Sequence, residues 1–167
     1  LPSAGEALLP GLLDRLRGSA IELRLDDIDL AEADYAARSM DVDVVIAHSL
    51  AGDVPSGAEQ LVSMPLVREP IDVALSSDHP LASRRRLHAD DLVGTRWIGV
   101  PEGYPFDTIL LAVENHTGER LERRLRLRDN HLVEALVGAG AGLALLPLGR
   151  RADAAGEMEL RLVLPDV

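Results

Sequence analysis

The sequence predicts an α/β protein of two lobes, and three observations predict it. Strand-like and helix-like segments alternate along the chain. The alternation runs through once and starts again near residue 70. Hydrophobic residues make up 47% of the 167 residues while aromatics make up only 2%, so a core is available and must be built from Leu, Val, Ile and Ala.

The first series opens on Ser3-Ala4-Gly5-Glu6, which has the S-x-x-E form of a capping box. Leu8, Leu9, Leu12, Leu13 and Leu16 follow at helical spacing, with Pro10 expected to kink or divide the helix and Gly18 to end it. Ile21 to Leu25 alternates apolar with polar residues, as a half-buried strand does. A second box at Asp29 to Glu32 opens an Ala-rich helix running to about Met40, and Val42 to Ala47 is a β-branched strand suited to burial on both faces. Leu61 to Val67 and Ile71 to Ser76 are strand-like, with Pro70 between them. Asp78-His79-Pro80 is a turn, and Ala89 to Leu92 is a single helical turn.

The second series runs through a strand at Trp97 to Val100, a loop to Pro105 and a helix from Phe106 to His116 stopped near Gly118. Leu121 to Arg128 alternates Leu with Arg at its end, as an exposed strand would. Asn130 is placed to cap a helix from His131 to Ala139. Leu143 to Leu146 is an apolar strand closed by Pro147, and Leu160 to Leu164 is a last alternating strand. The first lobe is therefore expected over residues 1–69 and the second over 70–167, with hinge strands near 66–76. The first strand of the first lobe is expected upstream of Leu1.

Charge and composition narrow the function. A net charge of −11, from 28 acidic against 17 basic residues, opposes direct binding of nucleic acid, which needs clustered cations to displace counterions. With no cysteine, disulfides, thiolate metal sites and cysteine nucleophiles are excluded within these residues. This composition fits a reducing compartment. No apolar run approaches the roughly 18–20 residues of a membrane span. The N-terminus lacks the basic and apolar regions of a signal peptide.

Catalytic and metal groupings are missing. His48, His79, His88, His116 and His131 show no paired metal-ligand spacing, and no G-x-S-x-G elbow occurs. No metal and no cofactor are therefore expected. Gly138 to Gly142 looks like a phosphate loop, but it follows a helix and precedes a strand, the reverse of a dinucleotide loop. A glycine cap with a tight turn explains it. Asp26, Asp27 and Asp29 read as a solvated loop and cap, and Arg84-Arg85-Arg86 as a solvated turn.

Binding features are better supported. Ser3 and Ala4 stand at a helix start, where free N–H groups and the helix dipole attract a carboxylate or phosphate, while Ser3 can equally cap its own helix. Tyr104, Pro105 and Phe106 lie in a loop between a strand and a helix, a favoured place for ligand contacts as well as for plain loop packing. His48 and Ser49 end the Val42–Ala47 strand, either as cleft residues or as an ordinary polar strand end.

Several of these segments together resemble the effector-binding domain of LysR-type transcriptional regulators. Leu8-Leu9-Pro10 after Ser3 is similar to the family's opening helix. Met40-Asp41-Val42-Asp43-Val44-Val45-Ile46 is similar to its G-x-L-D-x-x-I strand, with Met40 in place of Gly. Pro65-Leu66-Val67 with Ala74 to Ser77 resembles the crossing strands, and Asp78-His79-Pro80-Leu81-Ala82 matches the H-P-L-A turn. Asp91-Leu92 and Leu136 to Pro147 continue the match in the family's order.

The resemblance implies a two-lobed type 2 periplasmic-binding-protein-like fold, each lobe a small mixed sheet flanked by helices. It implies a small-molecule effector, an organic anion or polar metabolite, held between the lobes. It also implies a homodimer or dimer of dimers in the cytoplasm, and contact with DNA only through an N-terminal helix-turn-helix domain not contained here. The positions it implies for the ligand are Ser3, Ala4, Asp29, Leu30, His48, Ser49, Tyr104, Pro105, Phe106 and Asn130. The effector is expected to bridge Ser3 and the Tyr104–Phe106 loop. Against the family, the first lobe is expected to be incomplete at both termini. The competing function is a transport-type solute-binding protein of the same fold, which would need a secretion signal. A small two-lobed α/β enzyme would need a positioned acid or base, and only His48 offers one.

Overall fold

The computed structural model describes residues 2–28, 34–49, 52–55, 57–147 and 158–161. The chain falls into two compact units, Leu1–Leu66 and Val67–Val167.

In the first unit, helix α1 spans Pro2–Leu16 and helix α2 spans Tyr35–Arg38. Pro2 stands in the first turn, where a missing N–H costs nothing, so Ser3 lies within that turn and does not cap it from outside. Pro10 does not divide α1, which runs through it as one helix. Gly18 follows at φ 77°, the left-handed conformation expected of a helix-terminating glycine. The strands expected at Ile21–Leu25, Val42–Ala47 and Leu61–Val67 do not form as hydrogen-bonded strands among the described residues. Apolar alternation marks only one face of a strand. The ladder also needs a neighbouring backbone, and none of the described strands pairs with these segments.

The second unit is a layered α/β body. Strand β1 is Ile71–Ser76, a 3₁₀ turn covers Ala89–Leu92, and strand β2 is Arg96–Gly99. Helix α3 is Pro105–Thr117, strand β3 Glu122–Arg126, helix α4 Asn130–Gly138, strand β4 Ala144–Pro147 and strand β5 Met158–Arg161. β1 lies between β4 and β5 and is antiparallel to both, with Val73 opposite Leu145 and Arg161. β2 and β3 are parallel, joined by α3 as crossover. Leu143 links the two sheets: Ile98 N donates to its carbonyl at 2.7 Å and its own N–H reaches the Arg96 carbonyl at 2.8 Å.

The period-2 alternation of β1 and β4 builds a core on each side. Val73, Leu75 and Leu145 join Trp97, Leu110, Val113 and Leu121 on the side of α3. Ala74, Ala144 and Leu146 join Ile98, Val133 and Val137 on the side of α4. The glycine run after α4 is a structural turn, as its sequence context predicts. Gly140 is left-handed at φ 75°, and Ala141 N donates to Leu136 O at 2.9 Å while Gly140 N donates to Val137 O at 2.9 Å, a Schellman cap. Gly142 is required for a different reason: a Cβ there would lie 2.9 Å from the Arg96 carbonyl oxygen.

Candidate functional site

Parallel strands deliver their C-terminal ends to one edge, and β2 and β3 do so here. The chain leaves Gly99 into the Val100–Tyr104 loop and enters α3. It leaves Arg126 and enters α4 four residues later. Two helix N-termini and both connecting loops therefore share that edge, where open α/β sheets bind their ligands. Tyr104, Pro105, Phe106 and Asn130 all stand on it.

Each has a local reason for its place. Gly103, at φ 80°, turns the chain so that half-buried Tyr104 precedes the first turn of α3, which Pro105 enters as a buried residue. Phe106 packs against the core beneath α3. Asn130 is the first residue of α4 and not its cap. Asp129 takes that role, its carboxylate accepting from Leu132 N at 3.1 Å. An aspartate caps as well as an asparagine and adds a favourable charge–dipole term, which is why the boundary moves by one residue.

The edge also gathers residues that the sequence reading passed over as an exposed strand. Register slips by one between Trp97 and Ile98, so that Trp97 faces Arg123 but Ile98 faces Leu125, leaving Arg124 extra. An extra residue resets side-chain alternation and brings Arg123 and Arg126 to the same face of β3. Both reach Asp107 of α3, a carboxylate that is almost fully buried: Arg123 Nε at 3.1 Å and Arg126 Nη1 at 3.3 Å. Arg123 Nη1 also contacts Glu114 at 2.6 Å. That hydrogen bond holds the Glu114 carboxyl below the usual carboxylate range and raises the Arg123 guanidinium further. Arg126 donates to the Val100 carbonyl at 2.9 Å and meets Glu102 at 3.2 Å. Arg128 stacks over the Tyr104 ring, 5.4 Å from its centroid. The legible signal was the succession Arg120, Arg123, Arg124, Arg126, Arg128 in an acidic chain; the register slip that sorts these side chains was not legible.

In the first unit, His48 lies near Tyr35, which the sequence did not single out. The buried Tyr35 hydroxyl is 3.4 Å from His48 Nδ1, and the rings meet edge to face at 6.1 Å. The Ser49 hydroxyl is buried with no hydrogen-bond partner among the described residues. Ser3 and Ala4 belong to the first turn of α1, and Asp29 and Leu30 lie outside the described residues.

The H-P-L-A turn is built by its histidine. His79 N–H donates to Ser76 O at 2.9 Å and its Nδ1 accepts from Leu81 N at 3.2 Å, so that nitrogen carries no proton. Burial lowers the imidazole pKa in the same direction. In the basic run, Arg84 is paired with Asp91 at 2.6 Å, while Arg85 and Arg86 are solvent-exposed. Among the described residues no group of three or more His, Cys, Asp or Glu is placed to hold a metal ion, and no helix is long and apolar enough to cross a membrane.

A sheet edge of this kind, on a two-lobed α/β fold of the type 2 periplasmic-binding-protein-like class, is where such architectures hold small molecules. The chain belongs to the LysR substrate binding domain family, whose model matches residues 1–167.

The chain is 24% identical over 153 residues to the hydrogen peroxide-inducible genes activator of Pectobacterium carotovorum subsp. carotovorum, covering 88% of this chain and 48% of that protein. It thus spans about half the length of the curated relatives it matches. Among solved structures, the regulatory domain of CcmR from Synechocystis PCC6803, in complex with 2-PG, superposes with a TM-score of 0.73 at 18% identity, covering 95% of this chain and 76% of that one. The effector binding domain of QuiR in complex with shikimate gives a TM-score of 0.69 at 12% identity, covering 98% of this chain and 77% of that one. At these identities the likeness establishes the fold.

Proposed function

We propose that this chain is the sensing domain of a LysR-type transcriptional regulator. In this reading it binds a small-molecule effector and passes that state to an N-terminal helix-turn-helix domain, which lies outside these residues and alone reads DNA. The family match over residues 1–167 carries the reading. It favours a regulator over a transport protein of the same fold, and binding over turnover. A cytoplasmic homodimer or dimer of dimers goes with it, without membrane contact.

The effector is a small organic anion or polar metabolite. Two observations support this class: structural neighbours are described in complex with 2-PG and with shikimate, and the β2–β3 edge carries Arg126 and Arg128 beside two helix N-termini. The ligand-contacting positions are Tyr104, Pro105, Phe106 and Asn130 in the second unit, and Ser3, Ala4, Asp29, Leu30, His48 and Ser49 in the first. One relative is named for induction by hydrogen peroxide. This chain has no cysteine, so thiolate oxidation is not open to these residues and a reversible bound ligand is the better signal.

A ligand shifts an equilibrium only by its differential affinity for the two states, and a 10- to 100-fold preference corresponds to roughly 1.4–2.7 kcal/mol. The test is mass spectrometry of small molecules that co-purify with the intact protein, followed by thermal shift with the molecule identified. Stabilisation without turnover, reduced in Ser3→Ala, is expected. Chemical conversion of the molecule would overturn the sensing reading, and an unchanged stabilisation in Ser3→Ala would remove that contact.

A further inference from the structure

We propose that Glu102 is a built-in placeholder for the anionic group of the effector, and that Arg126 is the residue that receives it. This rests on the sensing function proposed above, and it assigns a selectivity role to a pair outside the ten positions given for the ligand.

The argument begins with how unequally Arg126 is held. One end of its guanidinium is fixed. Nη1 donates to the Val100 carbonyl at 2.9 Å and lies 3.3 Å from Oδ1 of Asp107, whose side chain is only 6% exposed. Asp107 is itself anchored on α3 and shared with buried Arg123. These contacts orient the planar fork before any ligand arrives, so little side-chain entropy remains to be lost on binding.

The other end faces outward. Nη2 is met at 3.2 Å by Glu102, whose side chain is 82% exposed. An ion pair this exposed contributes about 0–1 kcal/mol, because water and salt compete for both partners. Glu102 sits one residue before left-handed Gly103, in the loop that precedes Tyr104. A carboxylate held so weakly, on a prepositioned arginine, is readily exchanged for another.

The exchange preserves charge. Leaving Nη2, the Glu102 carboxylate returns to water, and an oxygen of an incoming carboxylate or phosphate monoester takes its place on that nitrogen as a charge-assisted hydrogen bond. Arg128, stacked on Tyr104 at the same edge, adds a second cation nearby. Because Glu102 competes with the ligand, it sets an affinity threshold. A neutral molecule cannot replace the charge that Glu102 supplies at Nη2, so the pair also discriminates by charge.

The experiment titrates the whole chain with inorganic phosphate, against chloride at matched ionic strength, by calorimetry and by the Nε–H NMR signal of Arg126. Glu102→Gln keeps the shape and removes the competing charge. It is expected to tighten phosphate binding about two- to fivefold and to leave the melting temperature nearly unchanged, since the side chain is exposed. Arg126→Lys keeps the charge on Asp107 but loses the fork, and is expected to abolish the gain. If Arg126→Lys fails to fold, the Glu102→Gln titration still decides. Equal phosphate affinity in wild type and Glu102→Gln, or a tightening not felt at the Arg126 signal, overturns the placeholder. An effector that binds the wild type and the Glu102→Gln variant equally overturns the placeholder while leaving the sensing function intact. Absence of any effector for the intact protein would count against the sensing function itself.

Discussion

The two units spend their apolar residues differently. In the second, Val73, Leu75, Trp97, Leu143 and Leu146 are sealed on the two sides of a sheet. In the first, Leu13, Ile21, Leu25, Met40, Val44 and Val62 remain exposed, and the described residues contain no strand. Both have the same kind of sequence: Ile21 to Leu25 alternates as cleanly as Leu143 to Leu146 is apolar. What separates them is partnership. β1 finds a backbone on each side, and its hydrogen bonds and its buried faces are secured together. A segment with the right pattern and no neighbour secures neither.

The comparison can be broken most forcefully at Trp97. It is 1% exposed, fills the core on the α3 side and donates from its indole nitrogen to Thr95 at 2.9 Å. Trp97→Ala is expected to cost about 3–5 kcal/mol, read as a lower urea midpoint for the second unit. A loss below about 1 kcal/mol would mean that the core is not close-packed there.

The next effect tests a backbone contact. Gly142→Ala would push a Cβ to 2.9 Å from the Arg96 carbonyl, and both neighbours are backbone that cannot rotate away. A cost of about 1–3 kcal/mol is expected, and the Ile98–Leu143 hydrogen bond that joins the sheets should exchange its amide proton faster than in the wild type. Smaller still is Asp129→Ala, which removes the cap from the Leu132 N–H and should cost about 1 kcal/mol, checked by thermal melting.

How much was legible follows from the same contrast. The turns and helix ends were, because their chemistry is local: Gly18, Gly118 and Gly140 take the left-handed conformation where the sequence puts a stop. The second unit's element order was legible for the same reason, since local turn and cap residues mark where its strands and helices begin and end. Tyr104 to Phe106 and Asn130 could be placed on one edge from element order alone. The arginine cluster could not. Whether Arg123 and Arg126 reach Asp107 depends on a register slip against β2, and no local pattern reports pairing with a distant strand. Tyr35 was missed similarly, because its contact with His48 joins residues 13 apart.

Acid should act on the H-P-L-A turn before it acts on the ion pairs. His79 is neutral in the fold, with a pKa depressed by burial, so the unfolded chain binds its proton first. Its contribution is complete above the ordinary imidazole range near 6.5 and fades as pH falls through it. Glu114, depressed by Arg123, gives way only as pH falls below the carboxylate range. His79→Gln should therefore flatten the stability profile between about pH 6.5 and its lower folded pKa, measured by melting across pH, and should leave the steeper acid limb in place. A profile unchanged by the substitution would mean that burial does not depress the His79 imidazole in solution.

The smallest effect is the most direct test of the first unit. Val62 is fully exposed, although it lies in a segment whose pattern reads as a strand. With that side chain exposed, Val62→Ser removes no packing, and stability should move by less than about 0.5 kcal/mol in a urea titration. If instead the segment pairs and buries that side chain, the substitution loses apolar burial of about 1.5–3 kcal/mol for a full valine. Only the second outcome would erase the difference between the units, because it would show that the apolar pattern had found its partner after all.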